Sequence, residues 1–86
     1  MDIKYVTSEI IKSVITCMQF PPDNINEHMT IQYDLGVDSL EIIMILIELE
    51  KKFGLEFDER IFANNNMTIE MLANYIIKKM EEAHAQ

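Results

Sequence analysis

A chain of 86 residues with a formal net charge of −8 has room for one small domain, and its acidity disfavours binding to nucleic acid or anionic membranes. Nearly half of the residues are hydrophobic, and tryptophan is absent. There are only two glycines and two prolines, which favours an all-α fold. The single cysteine, Cys17, excludes an internal disulfide, and its apolar neighbours predict a buried structural thiol.

The sequence predicts no targeting or membrane-spanning segment. The amino terminus has no basic segment followed by an apolar run, so we expect no secretory signal. The longest apolar run, residues 42–47, is far shorter than the ~20 residues of a transmembrane helix. We therefore expect a soluble, cytoplasmic monomer that binds neither membranes nor nucleic acid.

The first helix is predicted over residues 2–18, where apolar residues recur at helical spacing. The sequence PPDN at 21–24 ends it, because proline lacks an amide proton and disfavours helix in the residue before it. A long connection follows over residues 19–37, and we expect it to be ordered. Its apolar residues should anchor it to the bundle: Phe20, Ile25, Ile31, Tyr33, Leu35 and Val37.

A second helix is predicted from about residue 39 to residue 52, with Gly54 as its stop signal. A short third helix should follow Asp58 over the sequence ERIFA. Thr68 comes after the turn sequence NNN and is a good N-cap for a last helix. The pattern thus predicts a small four-helix bundle with three longer helices and a short one, forming a single domain over residues 1–86.

Ser39 lies in the stretch DLGVDSLEI, where a glycine-containing turn gives way to the second helix. Asp38 and Glu41 have the spacing of a capping box. If Asp38 is the N-cap, the Ser39 hydroxyl faces solvent, whereas in an alternative register Ser39 itself is the cap. A phosphate on Ser39 would be tolerated, because a helix amino terminus offers free N–H groups and the positive end of the dipole.

The sequence does not support a catalytic or metal site. Ser39 is not part of a G-x-S-x-G elbow, and the histidines His28 and His84 lie in a loop and in the tail. Two isolated histidines and one cysteine make a poor zinc site, and the acids at 34 and 38 lack the pattern of a calcium loop. We expect no self-contained catalysis and no bound metal.

The second helix carries two apolar stripes. One should face the core and contains Ile42, Ile45, Leu46, Leu49 and Phe53. The other, here called the outer stripe, contains Leu40, Ile43, Met44 and Ile47. An exposed apolar stripe beside Ser39 indicates a docking surface, and the alternative is extra core under the long loop.

The stretch DLGVDSLEIIMILIELEKKFGLEF resembles the core of the acyl carrier protein family, including the peptidyl carrier domains of nonribosomal synthetases. The resemblance rests on LG-DSL, the long apolar helix and LEKKFG, and it extends to TIEMLANYI in the final helix. In this family the serine of DSL carries 4′-phosphopantetheine, so the resemblance implies that cofactor on Ser39. It also implies a non-catalytic carrier that holds an acyl intermediate as a thioester and is modified by a phosphopantetheinyl transferase.

The resemblance further implies acyl- or aminoacyl-loading and transfer enzymes with basic docking surfaces as partners. We expect them to contact Asp38, Leu40, Glu41, Ile43, Met44, Ile47 and Glu48. Met44 stands where bacterial fatty-acid carriers usually have an acid, and Lys51 and Lys52 replace acids, which favours a specialised acyl or polyketide pathway. The alternatives are an aminoacyl or peptidyl carrier of nonribosomal-type biosynthesis, and a helical adaptor in which Ser39 is only a cap.

Overall fold

Three helices of 15 residues each make up most of the fold: α1 (Ile3–Cys17), α2 (Ser39–Phe53) and α3 (Ile69–Ala83). The structure is a computed structural model and describes residues 1–85. A 3₁₀ helix (Glu59–Phe62) lies between α2 and α3, where the sequence predicted a short helix. The arrangement confirms the predicted all-α bundle with a long loop between its first two helices.

Each α-helix begins where a side chain can accept a hydrogen bond from a free N–H group of the first turn. Asp2, Asp38 and Thr68 are the N-caps of α1, α2 and α3. Gly54 ends α2 with a φ of 65°, a left-handed conformation that glycine adopts without a Cβ penalty. The predicted caps at Thr68 and Gly54 are thus confirmed.

The core forms where α1 packs against both α2 and α3. Val6, Ile10 and Val14 lie on one face of α1 and are fully buried. The stripe of α2 that was predicted to face the core is buried along its whole length: Ile42, Ile45, Leu46, Leu49 and Phe53. The helical period of the apolar residues therefore determines which face of α2 turns inward.

The loop over residues 19–37 is tied to the start of α3. The Ile31 N–H donates to the Met67 carbonyl at 2.8 Å, and the Ile69 N–H donates to the Met29 carbonyl at 3.1 Å. Ile31, Leu35 and Val37 are buried, as the sequence predicted. The loop is consequently ordered up to the residue that begins α2.

Two of the predicted loop anchors are wrong, because Phe20 is 81% exposed and Tyr33 is 74% exposed. Phe20 follows Gln19, whose N–H donates to the Glu41 carboxylate at 3.0 Å on the surface of the bundle. Tyr33 lies in a tight turn whose buried residues on either side are Ile31 and Leu35. Both rings therefore lie on the outside of the bundle.

The thiol of Cys17 is only half-buried, so the prediction of a buried thiol was too strong. Cys17 is the last residue of α1, and partial burial raises its pKa, as do the neighbouring carboxylates of Glu48 and Glu41. A raised pKa keeps the thiol protonated and unreactive.

Candidate functional site

Ser39 is the first residue of α2, and the cap of that helix does not depend on it. The Glu41 N–H donates to Asp38 Oδ1 at 2.8 Å, and the Asp38 N–H donates to Glu41 Oε1 at 3.0 Å. These reciprocal bonds complete a capping box. The register with Asp38 as the N-cap is therefore correct, and Ser39 is exposed at the first helical position.

The Glu41 carboxylate has a second structural contact. While Oε1 accepts from Asp38, Oε2 accepts the N–H of Gln19 at 3.0 Å. Glu41 thereby connects the end of α1 to the start of α2. The role of Glu41 in partner binding stays a prediction.

The turn before Ser39 is fixed by a pair of side-chain bonds. The Thr30 N–H donates to Asp34 Oδ2 at 2.8 Å, and the Asp34 N–H donates to Thr30 Oγ1 at 2.9 Å. Gly36 then adopts a φ of 76°, and the Val37 N–H donates to the Ile31 carbonyl at 3.1 Å. The backbone that delivers Ser39 to the surface is thus held on both sides.

Two adjoining depressions lie next to Ser39, and we call them together the Ser39 groove. Gln32, Ser39 and Ile42 line both depressions. Asn65 borders one of them, and Arg60 borders the other. The sequence analysis did not select Gln32, Asn65 or Arg60, because they belong to no motif and reach Ser39 only through the fold.

Arg60 is already paired with Asp58, the N-cap of the 3₁₀ helix. Its Nη2 lies 2.7 Å from Asp58 Oδ2, and its Nε lies 3.0 Å from both oxygens of the same carboxylate. These hydrogen bonds lower the pKa of Asp58 to about 2. The Arg60 charge is therefore largely compensated before any anion approaches the Ser39 groove.

The outer stripe faces away from the core. Its residues, Leu40, Ile43, Met44 and Ile47, are between 42% and 67% exposed. At 100° per residue they lie on the side of α2 opposite the buried stripe. The alternative of extra core under the long loop is therefore wrong, whereas the docking role of the stripe stays a prediction.

Lys52 belongs to an ion-pair cluster that joins α1 to α2. Its Nζ lies 3.0 Å from Glu9 Oε1, and Lys12 Nζ lies 3.1 Å from Glu9 Oε2. Glu9 is buried, and its hydrogen bonds to Lys52 and Lys12 lower the pKa of its carboxyl group. One of the two lysines that depart from the family pattern thus stabilises the fold.

Two negative findings apply to residues 1–85. No group of three or more histidine, cysteine, aspartate or glutamate side chains there is arranged to hold a metal ion. None of the helices in the same range has the length and apolar character needed to span a membrane.

Comparison with known proteins identifies the class to which this bundle belongs. The family model described as "Phosphopantetheine attachment site" matches residues 8–76. An acyl carrier protein of Chloroherpeton thalassium is 27% identical over 79 residues, which cover 92% of this chain and 98% of that protein. Acyl carrier protein 3 of Ralstonia nicotianae is 30% identical over 81 residues, which cover 94% of this chain and 92% of that protein. No solved structure matches.

The helical bundle is thus a phosphopantetheine-attachment domain. The chain belongs to the acyl carrier protein family, which confirms the resemblance seen in the sequence. Its cofactor is a covalently attached 4′-phosphopantetheine, and proteins of this family are generally non-catalytic carriers. They work in general with a phosphopantetheinyl transferase and acyl-handling enzymes.

The start of α2 fits a phosphodiester. The Ser39 residue is exposed, and the N–H groups of Ser39 and Leu40 are left for an anion, because the N–H groups of Glu41 and Ile42 are bonded to Asp38. The Asp38 carboxylate beside Ser39 offsets part of this attraction. When attached, 4′-phosphopantetheine supplies a flexible arm that ends in a thiol.

Proposed function

We propose that Ser39 carries the 4′-phosphopantetheine and that residues 1–86 form a single acyl carrier domain of a specialised acyl or polyketide pathway. The attachment is supported above all by the completed capping box of Asp38 and Glu41. Because the cap is made without Ser39, its exposed hydroxyl is left for modification. The radius of gyration of 12.1 Å supports a single domain, since about 12 Å is expected for this length.

Attachment is a phosphoryl-type transfer from coenzyme A. A bond forms between Ser39 Oγ and the phosphorus that bears the pantetheine, and the pyrophosphate P–O bond of coenzyme A breaks. The nucleotide part of coenzyme A leaves, and the Ser39 proton passes to a base of the transferase. This chain supplies the nucleophile and its placement, whereas the separate transferase supplies the activating base.

Ser39 then tethers an acyl group that is held as a thioester at the end of the arm. Because the tether is anchored at one exposed residue, each enzyme that docks nearby meets the cargo at a high effective concentration. The chain itself needs no catalytic residue for this role.

Partners should dock on the outer stripe and on the acids at its edges. Asp38 and Glu48 are exposed on α2, and the chain has a net charge of −8. A partner with apolar contacts ringed by lysine and arginine complements this surface. The free cysteine fits a reducing compartment, and we propose a cytoplasmic monomer.

Met44 supports a specialised pathway over primary fatty-acid synthesis. It is 42% exposed in the middle of the outer stripe, at a position where bacterial fatty-acid carriers usually present an acid. A partner that relies on a salt bridge at this point would meet an apolar side chain instead.

The attachment is tested by intact mass after incubation with coenzyme A and a broad-specificity phosphopantetheinyl transferase. The wild type should gain one phosphopantetheine, and Ser39→Ala should gain none while remaining folded. Ser8→Ala is the matched control, because Ser8 is exposed on α1 and outside the DSL motif. Attachment to Ser39→Ala, or none to the wild type, would refute the proposal.

The nature of the cargo is tested on the modified protein. Loading should succeed with an acyl-activating enzyme and fail with amino-acid-activating enzymes. The opposite result would establish the alternative of an aminoacyl or peptidyl carrier. If the wild type never accepts phosphopantetheine, the helical adaptor is the one remaining alternative.

A further inference from the structure

Gln32 places a polar atom inside the protein without a partner. Its Oε1 is buried and finds no hydrogen-bond donor within residues 1–85. Buried polar atoms are nearly always hydrogen-bonded, because an unmade bond costs the full desolvation of the group. An exception next to the modification site requires an explanation.

The surroundings of Gln32 are fixed, but its side chain borders open space. The residue lines both depressions of the Ser39 groove. The preceding residue, Ile31, is fully buried and donates its N–H to Met67, and the turn around Gln32 is closed by Thr30 and Asp34. Rotation of the side chain alone could therefore bring the carboxamide into the groove.

We propose that the Gln32 carboxamide turns into the Ser39 groove and hydrogen-bonds an amide group of the pantetheine arm. The inference rests on the proposed attachment to Ser39 and names a positioning residue for that arm. The arm offers both amide N–H donors and carbonyl acceptors, so it can satisfy either end of a carboxamide. Bonding would place the arm along the groove and relieve the unpaired atom.

Other ligands fit the same place less well. A phosphodiester has no N–H or O–H to donate to Oε1, and the exposed carboxylates of Asp38 and Glu59 line the groove. The hydrocarbon part of an acyl chain has no N–H or O–H group to donate to Oε1 either. Ile42 lines both depressions together with Gln32, and its apolar side chain suits the methyl groups of the arm.

The first test compares nuclear magnetic resonance spectra of the unmodified and modified wild type, with intact mass confirming complete attachment to Ser39. The side-chain amide resonances of Gln32 should shift, and they should show cross-relaxation with protons of an isotope-labelled arm. The side chain of Gln19 is the internal control, because Gln19 is exposed and lies outside the groove. Its amide resonances should not move.

The second test uses Gln32→Leu, which keeps the approximate size and removes the polar atom. The unmodified variant should melt at a higher temperature than the unmodified wild type, by roughly 4–8 °C. Any gain in melting temperature on modification should be smaller in Gln32→Leu than in the wild type. Gln19→Leu should leave both quantities unchanged.

The outcomes separate the two proposals. Failure of the arm to attach to Ser39, seen by mass, overturns both the attachment and this inference. A modified wild type in which the Gln32 amide neither shifts nor contacts the arm overturns the inference alone. This holds even where Gln32→Leu fails to fold, because the resonance experiment uses the wild type.

Discussion

Met44 and Leu46 lie two positions apart on α2 and test whether the outer stripe is a docking surface. Met44 is 42% exposed and Leu46 is 6% exposed. Changing each to aspartate places the same charge on opposite faces of one helix. We expect Leu46→Asp to unfold the domain, and Met44→Asp to fold and to slow acyl transfer with a cognate enzyme.

The expected loss of stability in each variant follows from the burial of the side chain that is replaced. A chain of 86 residues at ~0.05–0.15 kcal/mol per residue has a free energy of unfolding of about 4–13 kcal/mol. Leu46→Asp removes about 1.5–3 kcal/mol of apolar burial and adds the cost of an unpaired buried charge, several kcal/mol more. Met44→Asp should lower the free energy of unfolding by about 1 kcal/mol, because it removes partial burial and places a residue of lower helix propensity in α2. The melting temperature should fall by roughly 4–8 °C.

The effect on docking also follows from exposure. A fully buried methionine side chain is worth about 1.5–3 kcal/mol, and the 42% of Met44 that is exposed leaves about 0.6–1.3 kcal/mol for a partner to gain. That free energy corresponds to a roughly threefold to ninefold weaker complex. Transfer measured below saturation should slow by a similar factor.

The assay combines thermal melting by circular dichroism with the transfer rate. Met71→Asp is the matched control, because Met71 is 49% exposed on α3, away from the outer stripe. Met71→Asp should lower the free energy of unfolding by a similar amount to Met44→Asp and should leave the transfer rate unchanged. If Met44→Asp melts as low as Leu46→Asp, or if Met71→Asp slows transfer equally, the outer stripe is not a docking surface.

Three further substitutions test the fold around the site. Asp38→Ala removes the N-cap of α2 and should cost about 0.5–2 kcal/mol in urea unfolding, whereas Ser39→Ala should cost less because Ser39 is not the cap. Gly54→Ala should cost about 1–2 kcal/mol because of the positive φ alone, since an added Cβ would meet no atom within 4 Å. Lys52 lowers the pKa of Glu9 in the folded protein. The ionised carboxylate therefore stabilises the fold above the pKa that Glu9 has in the unfolded chain, about 4.3. This stabilisation is lost as the pH falls through the lower pKa of the folded state. The stability of Glu9→Gln should therefore lie below that of the wild type at neutral pH and converge with it in acid, and a constant difference would contradict this assignment.

The helices were predictable because their determinants are local. A helix from about residue 39 to 52 was predicted, and α2 extends over Ser39–Phe53. The cap before Ser39, the helical period of the buried stripe and Gly54 all lie within or next to that segment. Ser39 itself was selected from the sequence through the family motif, and its exposure agrees with that choice.

The loop was less predictable because long-range bonds determine which of its residues face inward. The Ile31 N–H is bonded to Met67, which is far along the chain, and this bond helps to set the orientation of the turn that follows. Hydrophobicity alone wrongly placed Phe20 and Tyr33 inside. It also gave no reason to expect the amide oxygen of Gln32 to be buried.

Two of these failures, at Gln32 and Tyr33, lie beside Ser39. Gln32 and Tyr33 are adjacent, yet the polar atom of the first is buried and the aromatic ring of the second is 74% exposed, the reverse of what stability alone favours. Both residues line the groove beside Ser39, and the exposed Leu40 follows Ser39 directly. Disagreement between local preference and the fold is expected where a surface is shaped for a ligand. Under the two proposals made above, the pantetheine arm would pair the amide oxygen of Gln32, and a docking partner would cover the exposed side chain of Leu40.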